Sequence, residues 1–412
     1  MQTSKINFMK KITLLLTFVS MLTWSAFAGG YQVRLQGQKQ TGFGLIGTPF
    51  SFGASSIFYN PGALSMMKAK TSFQIGASGI LSNITFQKSA TNYQAKTDNP
   101  LGTPFYFYGA TKITDKLAVG VGVYTPFGSS AKWDNNWAGR FLIQNISLSA
   151  IFIQPTLSYK INDMISIGAG FVYAMGNVEL NKALPYNDNS SANLVGSTSS
   201  MGYNLGVYFK PIEALSIGVD YRSEIIMEME GGDAIFTVPA SLSTTISKNN
   251  KFSASLPMPG NLDVGISYNI TEKFMVAAEI NYVFWSVYDS LNFTFEENGE
   301  LLNSNNPRLY ENVMIIRLGG QYILNDKFTV RVGGYYDPSP TNENYFTPET
   351  VSLNTTAFTC GFTYKPMKNL CIDVSYLHTL GAETDNSYDP GNFAGTYKTQ
   401  ASIPGIGISY NF

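Results

Sequence analysis

Side chains able to do covalent chemistry are scarce: one His and two Cys in 412 residues. His378 is the lone histidine, and Leu380 rather than a serine stands two positions on, so no nucleophile shares its strand face nearby. It keeps parity with Leu370, Ile372, Val374 and Tyr376, which makes it an interfacial side chain on an apolar outer face. Cys360 shares a face with Phe358, Phe362 and Tyr364, while Cys371 shares the opposite one with Asp373 and Ser375. Opposite faces of a sheet cannot meet the Cβ spacing of a disulfide, so two free thiols are expected. Neither a zinc cluster nor a disulfide framework can be built from this set. The expectation is a protein that is not an enzyme and has no metal or cofactor.

Two other residue sets suggest binding instead. Ionisable side chains recur on one face of alternating segments: Asp220, Arg222, Glu224, Asp263, Glu279, Arg317, Arg331, Asp337 and Asp373. If that face lines a lumen, carriers of both signs should pair with one another and with whatever fills the space, because buried charge needs a partner. Apolar residues also gather in two long polar connections. Leu184, Pro185, Leu194 and Val195 lie in 183–199, and Ile235, Phe236, Val238, Leu242, Ile246 and Phe252 lie in 232–258. Exposed loops need no such residues, and a patch of this size usually binds something.

The elements that position these residues are strands. Hydrophobic residues make up 44% of the chain, aromatics 14% and charged residues 13%, against about 25% charged in soluble domains. With 25 Tyr, 28 Phe and 38 Gly, strands and tight turns are favoured over helices. Mean hydropathy is near zero and no segment after the N-terminus runs 18 apolar residues, which rules out a bundle of membrane helices. Formal net charge is −1, leaving no basic footprint for nucleic acid. Lys5, Lys10 and Lys11 precede the apolar run Ile12–Phe18, and Ala26-Phe27-Ala28 completes an export signal over 1–28.

From about residue 69 one pattern repeats: a segment of period-2 polarity, then a turn. Leu117, Val119, Val121 and Val123 alternate with Ala118, Gly120 and Gly122; Leu262, Val264, Ile266 and Tyr268 alternate with Asp263, Gly265 and Ser267. Short turns such as Thr114-Asp115 and Asn325-Asp326 alternate with long polar loops. The segments are 70–86, 102–113, 116–127, 143–161, 164–182, 199–212, 214–231, 259–270, 273–297, 308–324, 327–338, 352–366, 369–383 and 400–412. That is an even-numbered set, as an outer-membrane barrel requires, with its turns periplasmic and its loops outside. A secreted β-sandwich is disfavoured because the segments outrun ordinary strands. Gly29–Ala69 lacks alternation and is rich in glycine. A barrel this wide is not sealed by side chains alone, so a compact segment of small residues suits a plug.

Along that segment, Tyr31-Gln32, Thr41-Gly42-Phe43-Gly44 and Ala54-Ser55-Ser56-Ile57-Phe58-Tyr59-Asn60-Pro61-Gly62-Ala63 resemble the hatch of the long-chain fatty acid transporter (FadL-type) family. The family's Asn-Pro-Ala motif is matched by Asn60, Pro61 and Gly62, departing at the third position. Tyr124-Thr125-Pro126-Phe127-Gly128, Trp137-Ala138-Gly139-Arg140, Tyr221-Arg222-Ser223-Glu224 and Tyr376-Leu377-His378 continue the likeness in order. The resemblance implies an all-β fold, a 14-stranded antiparallel transmembrane barrel over 70–412 with a hatch at 29–69 inside its lumen. It implies an outer-membrane channel for passive uptake of hydrophobic compounds: long-chain fatty acids, or hydrocarbons such as toluene. Capture would occur at Leu184, Leu194, Val195, Ile235, Phe236, Val238, Leu242 and Phe252.

No lysine stands where the family's carboxylate-binding cation would align; Arg308 is close and Glu311 occupies that neighbourhood, which favours a neutral cargo. Release would run sideways through a kink in the third strand at Gly120 and Gly122. Asp220, Arg222, Glu224 and Arg317 would line the lumen. Partners are the hydrophobic small molecule, outer-membrane lipids and lipopolysaccharide, and the barrel assembly machinery through the C-terminal Phe412; a monomer is expected. The alternatives are a general diffusion porin for small polar solutes, which would need an open lumen, and a surface adhesin or receptor barrel.

Overall fold

Alternating segments become a closed antiparallel ring of 14 strands. A computed structural model describes residues 30–412, and the expected export signal falls outside those residues. The ring strands are β1 (Thr71–Ser78), β2 (Phe105–Lys112), β3 (Leu117–Lys132), β4 (Asn145–Lys160), β5 (Ile165–Ala183), β6 (Ser191–Ile212) and β7 (Leu215–Arg222). They continue as β8 (Asn261–Asn269), β9 (Phe274–Val283), β10 (Val313–Ile323), β11 (Phe328–Asp337), β12 (Thr355–Met367), β13 (Leu370–Gly381) and β14 (Phe393–Asn411). Each pairs with its chain neighbours, and β14 closes on β1 from Ser72 opposite Asn411 to Ser78 opposite Gly405. Among the described residues no helix is long and apolar enough to cross a membrane.

Side-chain parity sets the two faces. Phe107, Val121, Leu157, Ile167 and Leu205 point outward and are exposed, as lipid-facing residues should be. Tyr108, Ala118, Ser158, Asn204, Asp220 and Asp263 point inward and are buried.

Several boundaries differ from the sequence expectation: the segment expected at 273–297 ends as a ring strand at Val283, and the last strand, expected from 400, begins at Phe393. The segment expected at 70–86 breaks at Gly79-Ile80 into β1 and a separate strand, Leu81–Lys88, that pairs with the upper part of β14. The expected strand 214–231 breaks after Arg222, and its second part becomes Ile225–Thr237. That piece pairs with Asn249–Met258, so most of the expected loop 232–258 is a hairpin. The loop expected at 183–199 shrinks to 184–190, because β6 starts at Ser191. At ~3.3 Å per residue, the 19 residues of β5 run about 60 Å, twice a bilayer's hydrocarbon core of about 30 Å. The ends away from the short turns therefore stand clear of the membrane.

Residues 30–67 pack against the inward face of this ring. Short helical turns at Gln38–Thr41, Ser56–Tyr59 and Pro61–Met66 are joined by bends. Inward glycines let backbone approach backbone: a Cβ on Gly168 would run into the Pro61 carbonyl, and one on Gly218 into that of Thr48. Gly62 answers them, since a Cβ there would stand 2.7 Å from the Gly206 carbonyl oxygen. The alanine of the family motif would not fit this contact, which explains the departure at its third position.

Candidate functional site

Above residues 30–67, at the loop end of the ring, lies a narrow apolar cleft. Leu148, Leu180 and Leu194 from β4, β5 and β6 form one side; Met227, Met229 and Phe252 from the hairpin form the other. Tyr31 closes its floor, and Glu349 and Thr350 stand at one edge. Local sequence explains the hairpin side. Met227 and Met229 alternate with Glu228 and Glu230 and point in. A register shift between Met229 and Gly232 then restores inward parity for Ala234 and Phe236. Two methionines give a wall that repacks around irregular apolar shapes.

The expected capture residues divide by face. Leu194, Phe236 and Phe252 are buried in the outer apolar cluster, with Leu184 and Val238 packed against it. Leu242 is half-buried in a turn of 3-10 helix beyond the hairpin strand. Val195 and Ile235 do not join them: both are 43% exposed and face away from the cleft. They belong to strands rather than loops, so their parity is fixed opposite to Leu194 and Phe236.

Arg308 is buried and committed. Its Nη2 donates to Glu349 Oε1 at 2.7 Å, and its guanidinium lies 5.8 Å from the Tyr388 ring centre. Burial opposes its charge, but Glu349 and the surrounding tyrosines outweigh that and raise its pKa further above the ordinary arginine value. Burial also lifts the Tyr288 and Tyr310 phenols, so both stay neutral around it.

Deeper in the ring sits an ion network that sequence reading saw only from the wall side. Arg34, on the N-terminal segment, donates to Asp263 Oδ2 and to Glu279 Oε1, each at 3.0 Å. Arg317 lies 3.4 Å from the same Glu279 oxygen. The other Glu279 oxygen accepts from the Gly47 and Thr48 amides at 3.0 and 2.9 Å. Arg222 donates to the Phe58 carbonyl at 2.7 Å and to the Tyr124 hydroxyl at 3.0 Å, and Asp220 accepts from Asn204 at 3.3 Å. Glu224, expected on the lumen face, is the exception: the strand break after Arg222 shifts its parity, and it is exposed. Asn60 holds the motif in place. Its Oδ1 accepts from the Gly62 amide at 2.9 Å, and its Nδ2 donates to the Thr48 and Val207 carbonyls at 2.9 and 3.0 Å.

Gly120 and Gly122 do not mark a kink. Both lie in unbroken ladders with β2 and β4, and a Cβ on either would press on Ile57. The irregularity of β3 comes higher, between Tyr124 and Phe127, where β3 carries one residue more than β4. Above Tyr124, β2 no longer pairs with β3. Residues 31–33 take its place: the Val33 amide donates to the Pro126 carbonyl at 2.7 Å, and the Gly128 amide donates to the Tyr31 carbonyl at 3.1 Å. The Tyr31 hydroxyl donates to the Pro257 carbonyl under the cleft.

His378 has a neighbour that its own strand did not disclose. Ser402 lies directly opposite on β14, with its Oγ 3.2 Å from His378 Nδ1 and 3.1 Å from the Tyr376 hydroxyl. Among the described residues no carboxylate bonds to this imidazole. Cys360 is exposed, Cys371 is buried, and both are free.

The sequence profile described as outer membrane protein transport protein (OMPP1/FadL/TodX) matches residues 19–412. Outer membrane protein P1 of Haemophilus influenzae is 25% identical, over 87% of this chain and 90% of that protein. The long-chain fatty acid transport protein of Escherichia coli is 21% identical, over 96% of each. Among solved structures, a Pseudomonas aeruginosa FadL homologue superposes with a TM-score of 0.81 at 19% identity, over 93% of this chain and all of that one. The Ralstonia pickettii toluene transporter TbuX gives 0.71 at 18% identity, over 91% and 98%. A closed barrel of this form, matched by the profile over nearly its whole length, belongs to the outer-membrane transport protein family of OMPP1, FadL and TodX, a family of channels in the outer membrane rather than of enzymes.

Proposed function

We propose that this protein carries hydrophobic molecules passively inward across the outer membrane. The outer cleft captures the cargo, residues 29–69 act as a hatch, and release runs sideways through the wall beside Thr125 and Pro126. The observation that carries this reading is the position of Tyr31. Its ring lies at the floor of the apolar cleft, while its backbone occupies the edge of β3 that β2 leaves unpaired. Cargo settling into the cleft presses on the residue that covers the side gap. Sideways release also avoids returning apolar groups to water, which costs about 0.8 kcal/mol per CH₂.

The cleft favours a neutral cargo, such as a hydrocarbon, over a fatty acid. Its lining is mainly aliphatic and aromatic, and Arg308, behind the Glu349 that stands at its edge, is already held by that carboxylate. An acid's carboxylate would have to displace that partner.

Mass spectrometry of molecules co-purifying with the barrel, with single-channel recording in planar bilayers, tests the reading. An apolar ligand and a mostly closed channel are expected. Absence of apolar ligand together with steady porin-like conductance would overturn it. Glu349→Gln should raise affinity for a long-chain fatty acid about tenfold by freeing Arg308, and leave a neutral hydrocarbon unchanged. Equal effects on both would remove Arg308 from the binding account.

A further inference from the structure

Lysine is concentrated at the end of the ring that carries the short turns. The whole chain has 27 Lys and Arg against 28 Asp and Glu, so an excess at one end is segregation, not composition. Every short turn carries lysine. Lys112 and Lys116 flank the turn from β2 to β3, Lys160 enters the next, and Lys210 the one after. Lys273 and Lys327 leave the turns before β9 and β11, and Lys365 and Lys368 flank the turn before β13. The acids there are Asp115, Asp163, Glu213, Glu272 and Asp326. Two of these are taken by neighbours in sequence: Asp163 by Lys160 at 2.8 Å and Glu213 by Lys210 at 2.5 Å. Among the described residues Lys116, Lys273, Lys327 and Lys368 are exposed and have no carboxylate within 4.0 Å.

A second pattern runs beside the first. Five of these lysines adjoin an aromatic residue of lipid-facing parity: Tyr159-Lys160, Phe209-Lys210, Lys273-Phe274, Lys327-Phe328 and Tyr364-Lys365. Tyr159, Phe274 and Tyr364 are exposed on the outer wall, and Phe328 stacks between Phe362 and Tyr364. Aromatic rings at a barrel's edge sit at headgroup level. An ammonium one residue beyond such a ring reaches the phosphates of the same leaflet.

From lysine on all six turns, paired with an outward ring at five of them, we propose that the turn-end rim is a binding belt for anionic glycerophospholipids of the periplasmic leaflet. The recognised group is the phosphodiester headgroup. A belt on all six turns fits a lipid annulus; a folded acidic partner would call for a patch on one side. The proposal depends on the orientation of the barrel and not on the nature of its cargo.

The test uses the full chain equilibrated in mixed micelles of phosphatidylglycerol, phosphatidylcholine and oleate, with retained lipid counted by mass spectrometry. Basic residues near an anionic surface contribute about fivefold in affinity each. Wild type should therefore be enriched in phosphatidylglycerol, and less so as salt rises. The quadruple variant Lys116→Gln, Lys273→Gln, Lys327→Gln and Lys368→Gln should lose most of that enrichment, and the corresponding arginine set should keep it. If the quadruple variant does not reach the heat-resistant form, Lys116→Gln with Lys273→Gln should show a partial loss. Equal enrichment in wild type and glutamine variants would overturn the proposal. Enrichment of oleate but not phosphatidylglycerol would overturn it as well, and assign the rim to cargo leaving the lumen.

Discussion

Arg34 ties the first forty described residues to two strands of the ring at once. One guanidinium satisfies carboxylates on both β8 and β9, and Glu279 passes the tie back to the Gly47 and Thr48 amides. Removing one member of a buried ionic set strands the others, which typically costs about 3–5 kcal/mol. Arg34→Met should lower the temperature at which the heat-resistant form is lost and admit bursts of conductance in planar bilayers. Adding Glu279→Gln should recover part of the loss, since the stranded carboxylate is gone while an amide oxygen still faces Gly47 and Thr48. A double variant no better than the single would place the stabilisation elsewhere. The wall side of this network was legible, because Asp263, Glu279 and Arg317 fall on one face of strongly alternating segments. Arg34 was not, since nothing periodic surrounds it. Its only signal is a cation, like the nearby Lys39, in a glycine-rich stretch that has to be buried; such cations need acids, and Lys39 finds Asp373 at 3.7 Å.

Among the elements, β3 is the one whose irregularity falls where residues 31–33 take the place of β2 beside it. It keeps full ladders through Gly120 and Gly122, then takes in one extra residue at Thr125-Pro126. Proline cannot donate to a ladder, and a bulge turns the strand. Deleting Pro126 removes the extra residue and should let β2 and β3 pair further up. Assembly and ligand retention should persist while uptake of a hydrophobic compound by cells falls at least about tenfold, if the side route carries the flux. Undiminished uptake by a correctly assembled variant would show another exit. The ring itself was readable because lipid on one side and a packed interior on the other impose strict alternation. Reading failed where that constraint lapses. Beyond the membrane, Ile225–Thr237 carries a glycine bulge and Asn249–Met258 opens on polar residues, so a hairpin looked like a loop. The break after Arg222 likewise has no periodic signal, and it is what turns Glu224 away from the lumen.

For the whole molecule, the order in which contacts can form follows from where the N-terminal segment finds its partners. Gln38 accepts a hydrogen bond from Ser375, 337 positions away; the Gly44 amide reaches Thr359 across 315; and Arg34 reaches Glu279 across 245. Closing such loops has an entropic cost that is recovered only once the distant strands are in place. The residues made first should therefore settle last. In a refolding time course, a protease cutting within 30–67 should succeed for an interval after the barrel has acquired its heat-resistant mobility. Protection of that segment before the mobility shift would reverse the order. The inward glycines sharpen the consequence, because they remove side chains from the wall at the points where the segment's backbone lies against it. If residues 30–67 close the lumen, a newly closed ring should be an unstoppered hole, and the membrane receiving it should leak ions until that segment finds its seat.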